Sequence, residues 1–238
     1  MEDQYRKNVW NNKILVHGII EYYCNTIEEE RLGEKTKSTN RWFDGLSKLV
    51  LDYLYLPFIW KRDKHGGRAA FIDDWTVTLD SANDGFAILC VDSIIDMAQS
   101  KGSLTWEIEI VDAASHFYSN YGFVAVDPIT KEPMITNWKG FVNTNIGCAV
   151  YFNEWSNCGQ VMRNIQGIEK ACTSCAIGGS IAKGDVIRFS IDFVEKTCTF
   201  TCKNLSFVVF RNISKDLFLM PAIDCRTPVT FKVHLVGN

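Results

Sequence analysis

The order of apolar and polar residues changes period partway along this chain. In KILVHGIIEYYCNTIEEE, Leu15, Ile19, Ile20, Tyr23 and Ile27 recur at helical spacing. In FDGLSKLVLDYLYLPFIW, Leu46, Leu49, Val50, Tyr53 and Leu54 stand at i, i+3, i+4, i+7 and i+8, the stripe of an amphipathic helix. Asp44 is placed to cap that second segment, and Pro57 disfavours helix beyond Leu56. The polar stretch RLGEKTKSTN between the two reads as a loop. The pattern predicts a small helical extension over residues 1–64, with the charged, glycine-containing KRDKHGGR (61–68) as a linker to the next domain.

From Ala69 onward the period is two. WTVTLD (75–80), GFAILCVD (85–92), SLTWEIEIVD (103–112), YGFVAVD (121–127), GCAVYFN (147–153), DVIRFSIDF (185–193), TCTFTCK (197–203), FVVFRN (207–212) and VTFKVHLV (229–236) all read as strands, bounded by Gly, Asn, Asp or Pro. Many short strands with almost no helical pattern between them predict a mainly β domain over residues 69–238, an antiparallel sandwich. One interruption, VDSIIDMAQSKG, fits a short helical turn before Gly102.

The clearest alternation lies in KGDVIRFSIDFVEKTCTFTCKNLS. Ile187, Phe189, Ile191 and Phe193 share one face, and Val186, Arg188, Ser190 and Asp192 the other. A slip of one residue would turn all four apolar side chains into water, so the register is strongly fixed. Glu195-Lys196 supplies the turn, and Lys203-Asn204 closes the second strand.

This hairpin and its neighbours resemble SPRY domains. The resemblance rests on the Gly184-Asp185 opening, the Asp192 that comes after the first strand, the Lys203-Asn204 turn and the FVVFRNI beyond it. LFLMPAIDCRTPVTFKV (217–233) is similar to the family's closing segment, GSLTWEIEIVD to its Trp-Glu strand, YGFVAVD to its glycine-bearing strand with Gly122 in the glycine's place, and AVYFNEWSN to its aromatic segment. Cys202 and Leu205 stand where the family often has Tyr and Gly, and the span 127–183 is longer than in a minimal domain. Covering about residues 70–236, the resemblance implies a bent antiparallel β-sandwich of the concanavalin-like jelly-roll kind. It also implies a protein-binding module whose loops at one end capture a short segment of a partner protein.

Composition narrows the function classes. At 47% hydrophobic and 22% charged, the 238 residues are ordinary for a globular chain and can bury a sizeable core without disulfides. A net charge of −3 without a basic block argues against a general grip on nucleic acid. No apolar run approaches the length of a membrane span, so no membrane partner is expected. The polar start MEDQYRKNVWNN carries no secretion signal, which leads to the expectation of a cytoplasmic or nuclear chain whose 9 cysteines are thiols. Cys90 and Cys198, at alternating strand positions, read as inert core thiols.

Motif chemistry is sparse. No histidine has an acid or nucleophile at motif spacing, so no catalytic residue is assigned. The single C-x-x-C, Cys172 to Cys175, would need Cys148 and Cys158 to complete a zinc site, and the bland reading as loop and strand thiols is preferred; no metal and no cofactor is expected. Glu107 and Glu109 alternate on one strand face, as solvent-facing residues do, rather than as a glycosidase pair. His234 reads as structural. Binding candidates are the loop histidine His116 and the residues Tyr118, Trp138, Tyr151, Trp155 and Arg163, because Trp, Tyr and Arg in connections are the types that dominate interfaces. The resemblance adds Arg226, within the Asp224–Thr227 segment that would border the ligand surface. The expectation is a non-catalytic module that binds a short peptide segment of another protein, serving as a substrate-recognition adaptor. The alternative is a carbohydrate-binding or glycoside-acting protein on a related sandwich.

Overall fold

The computed structural model describes residues 58–81, 87–114, 117–135, 147–153 and 157–236. The chain divides into Met1–Pro57 and Phe58–Asn238, and all described residues lie in the second part. The helices expected within 1–57 therefore lie outside the described residues.

The described residues contain strands and turns and no helix. The strands are β1 (Trp60–His65), β2 (Arg68–Phe71), β3 (Thr76–Asp80), β4 (Ala87–Val91), β5 (Ile95–Asp96), β6 (Ser103–Ala113), β7 (Ser119–Ala125) and β8 (Gly147–Phe152). They continue with β9 (Cys158–Arg163), β10 (Glu169–Lys170), β11 (Ser174–Ala176), β12 (Val186–Asp192), β13 (Thr197–Cys202), β14 (Leu205–Arg211), β15 (Phe218–Cys225) and β16 (Val229–Val236). Two eight-stranded antiparallel sheets result. The first runs β1-β4-β15-β7-β8-β9-β11, with β5 paired to β15, and the second runs β10-β14-β13-β12-β6-β16-β3-β2.

The expected hairpin is β12–β13, in the second sheet. Its apolar face lies inward, with Ile187, Phe189 and Ile191 fully buried and paired across to Ile108, Trp106 and Leu104 of β6. Asp192 accepts the N–H groups of Val194 and Glu195, both at 2.9 Å, and so shapes the turn. Lys203 and Asn204 have φ of 52° and 64°, the left-handed pair of a two-residue hairpin turn whose twist matches the strands it joins. Between the sheets an aromatic chain runs from Trp106 to Phe189 (centroids 5.4 Å), Phe200 (5.4 Å), Phe152 (5.8 Å), Tyr121 (6.3 Å) and Phe231 (6.2 Å). These rings anchor the sandwich, since each removes a large apolar area from water.

The outward face of the second sheet satisfies itself pair by pair, as adjacent strands allow. Thr105 donates to Ser190 (2.9 Å), Thr78 meets Thr230 (2.8 Å), Thr201 meets Ser206 (2.8 Å), and Arg188 forks onto Glu107. His234 stands 3.6 Å from Glu109. Both glutamates weighed as a carboxylate pair thus face outward beside a basic residue.

Residues 61–68 are not a linker. Trp60–His65 is a strand on β4, and Arg68–Phe71 another on β3. The segment hides its strand character because the residues between Trp60 and His65 are all charged. Their partners lie close: buried Lys61 is 3.3 Å from Asp63, 3.6 Å from Asp92 and 3.8 Å from Glu132, and Arg62 is 2.7 Å from Asp74. Trp60 is buried, with its indole N–H on the Trp75 carbonyl at 2.5 Å. Gly67 makes the return possible, because at φ 74° a Cβ there would stand 2.4 Å from the Asp80 carbonyl oxygen. The helical turn expected before Gly102 is one turn after β5, where the Ser100 N–H reaches the Asp96 carbonyl at 3.0 Å.

Candidate functional site

Pairing fixes which residues share the outer face of the first sheet. On β15, Leu219, Ile223 and Cys225 belong to the core between the sheets, while Met220 and Ala222 belong to a second apolar cluster on the opposite face. Alternation puts Asp224 on that outer face. By the same count Asn120 of β7 and Tyr151 of β8 lie there too, in one row, because Asp224 pairs with Asn120 and Asn120 with Tyr151. The rest of the outer cluster, Ile88, Cys90, Val124, Val126, Ile135 and Ala149, continues toward the other end of the strands.

The row lies at the end of the sandwich where β7 and β12 begin and β8, β13 and β15 finish; this is the upper end. Asn120 and Asp224 are fully buried, and the Asn120 amide nitrogen donates to an Asp224 carboxylate oxygen. The Asn120 amide oxygen and the Thr227 hydroxyl are buried and have no partner among the described residues. One position further out, Tyr118 stacks on Tyr151, with centroids 6.3 Å apart and planes 15° from parallel. The Arg226 guanidinium lies over the Tyr118 ring, 5.5 Å from its centroid. The backbone of Arg226 is pinned at both ends, its N–H on the Tyr118 carbonyl (3.2 Å) and its carbonyl on the Ser81 hydroxyl (2.7 Å). Segments following β3, preceding β7, ending β8 and following β15 thus meet in one corner.

Of the sequence candidates, Tyr118, Tyr151 and Arg226 come together here. Arg163 does not join them. It pairs with Cys148 at the lower end of β8, and its guanidinium donates to the Ile168 carbonyl at 2.8 Å. His116, Trp138 and Trp155 lie outside the described residues. The sequence did not single out Asn120, reached Asp224 and Thr227 only as the ends of the segment that the resemblance puts at the ligand surface, and did not single out Ser81. A polar residue inside an otherwise apolar strand was the available signal for the first two.

The cysteines do not converge as a group of four. Cys148 sits at the lower end of β8, whereas Cys158 opens β9 at the upper end, five residues from Arg163 and so roughly 16 Å along the strand. The Cys158 and Cys175 thiols both approach the Gly159 carbonyl, at 3.9 and 3.6 Å. Burial pushes the thiols of Cys148 up to about 11 and of Cys175 and Cys202 up to about 12, and lifts Cys90, Cys198 and Cys225 far above the ordinary value. At neutral pH these are unreactive neutral thiols. Burial likewise pushes the Tyr121 phenol well above its ordinary range. The corner itself offers stacking surface and guanidinium N–H donors, the equipment of recognition.

No family model and no curated protein matches the sequence. Solved structures do. The SPRY domain of human HERC1 superposes with a TM-score of 0.53 at 14% identity, over 75% of this chain and 99% of that one. The PSpry domain of TRIM65 gives a TM-score of 0.50 at 8% identity, over 77% of this chain and 93% of that one. The fold is therefore SPRY-like: two antiparallel sheets packed as a sandwich.

Proposed function

We propose that this protein is a non-catalytic interaction module that holds a short segment of a partner protein in the corner of Tyr118, Tyr151 and Arg226. The observation that carries the reading is the convergence of these three side chains, from three separate segments, into one stack. Aromatic and arginine side chains held in place before binding lose little entropy when a partner arrives, which is why such residues dominate interfaces. The likeness in fold to SPRY domains supports the same reading by analogy. An adaptor role, with work in the cytoplasm or nucleus where the thiols stay reduced, belongs to the same proposal.

The test is capture of partners from a cell lysate by the full chain, compared with a Tyr118→Ala/Tyr151→Ala variant and with Arg163→Ala. A discrete partner that is lost with the tyrosine variant and kept with Arg163→Ala supports the reading, provided all three proteins melt alike. Equal capture by all three would move the site away from this corner.

A further inference from the structure

Resting on that reading, we infer that the segment recognised at this corner is acidic: a partner carboxylate is received by Arg226. The arginines of the described residues have different occupations. Arg62, Arg188 and Arg211 meet Asp74, Glu107 and Glu169, Arg163 meets a main-chain carbonyl, and Arg68 opens β2 opposite Asp80. Arg226 is exposed and forms no ion pair among the described residues; its guanidinium rests on the face of Tyr118. A guanidinium over a ring keeps N–H donors in the fork geometry that fits a carboxylate. Because Tyr118 rests on Tyr151 and the Arg226 backbone is tied to Tyr118 and Ser81, that fork is oriented before any ligand arrives.

A second observation points to a ligand at the same place. Asn120 is fully buried, and its amide oxygen has no donor among the described residues. With its nitrogen donating to an Asp224 oxygen, the amide oxygen is the atom left over. An acceptor left empty in a buried row is costly, and this row lies directly beneath the tyrosine stack. Asp224 accepts from the Asn120 amide in the row below. The ligand chemistry is therefore an extended peptide with an Asp or Glu side chain at the Arg226 fork. In a chain whose net charge is −3, such a partner depends on a local cation rather than on the overall field.

The test is selection from a random seven-residue peptide phage library on the full chain. The best peptides are then synthesised and titrated by fluorescence polarisation against wild type, Arg226→Gln and Arg226→Glu. Asp or Glu should be enriched at one position. Changing that residue to its amide, or Arg226 to Gln, should each weaken binding about tenfold or more, and raised salt should weaken only the wild-type pair. Arg226→Glu should regain binding when the peptide acid is replaced by Lys. Arg226→Gln, which keeps much of the side chain's length, decides the matter if the charge reversal does not fold. Enriched peptides without an acid, or an acid whose replacement changes nothing, would overturn this inference and leave the peptide-binding proposal standing. No enriched peptide at all would overturn both.

Discussion

Gly122 offers the sharpest physical test of how the corner is built. It sits on β7 between Asn120 and Val124, and pairs with Ala222 on one side and Ala149 on the other. A Cβ there would lie 2.0 Å from the Cys148 carbonyl oxygen and 2.8 Å from the Ala149 Cα. Both atoms are backbone of β8, so no side chain can swing aside. Ordinary contact begins near 3.4 Å, so Gly122→Ala must push β7 and β8 apart by more than an ångström. Strands pair at about 4.8 Å, and a displacement of that size takes the flanking N–H···O bonds beyond bonding distance. Two such bonds at about 1 kcal/mol each, with overpacking of about 1–3 kcal/mol, give a loss of about 3–5 kcal/mol. For a domain of this size that is a fall in melting temperature on the order of 10 °C. Tryptophan fluorescence or calorimetry on the full chain measures it. Gly184→Ala is the comparison: its Cβ would meet nothing within 4 Å, but at φ 87° it costs backbone strain alone, which Gly184→Asn should relieve because Asn tolerates the left-handed region. If Gly122→Ala melts within about 2 °C of wild type, the close approach of β7 and β8 is wrong, and with it the row that carries Asn120 and Tyr151.

Groups away from the corner give two further expected outcomes. At Lys61, burial pulls the ammonium's pKa down, and Asp92, Asp63 and Glu132 together push harder the other way, leaving it raised above 10.5. A raised folded value means that the cluster's stabilisation is complete below about pH 10.5 and is lost as pH rises through the folded value. Urea unfolding between about pH 8 and 11.5 should therefore show a steeper alkaline loss in wild type than in Lys61→Met. At neutral pH the variant should be about 2 kcal/mol less stable, below the cost of stripping a fully buried pair because the carboxylates are 32–44% exposed; parallel curves would refute the assignment. Alkylation with N-ethylmaleimide at about pH 8, read by peptide mass spectrometry, should modify half-buried Cys158 and Cys172 well before buried Cys148 and Cys202, and equal rates would contradict the packing.

Period-two patterning revealed β3, β4, β6 to β8, β12 to β14 and β16, because each carries apolar residues on one face of a half-buried or buried strand. Those it missed lack that signal for identifiable reasons. β1 is charged between its ends and is held by ion pairs rather than by an apolar face. β9, CGQVMR, turns only Val161 fully into the core, and its Gly159 fits under Phe152 and Val150, where a Cβ would lie 2.5 Å from each. β10 and β11 are edge strands of two and three residues, too short to show a period. β15 is buried along both faces and carries Pro221 in mid-run, a residue that argues against a central strand.

The site was legible in residue type and illegible in register. Arg163 and Arg226 look alike in sequence, each an arginine that leaves a strand. Only pairing separates them: Cys148 against Arg163 sends one to the lower end, and Cys225 against Ser119 sends the other up beside Tyr118. The same register explains why the pairing of Asn120 with Asp224 went unread. In SNYGFVA and FLMPAIDC each is the one amide or acid of its strand, and a buried sheet position tolerates such a group only with a partner. Alone, each suggests a local exception. Paired across neighbouring strands they become a buried polar row, with an unused acceptor, beneath two stacked tyrosines. Above that row the exposed Arg226 lies over the stacked tyrosines, which is why the proposed choice of an acidic ligand is tested at Arg226.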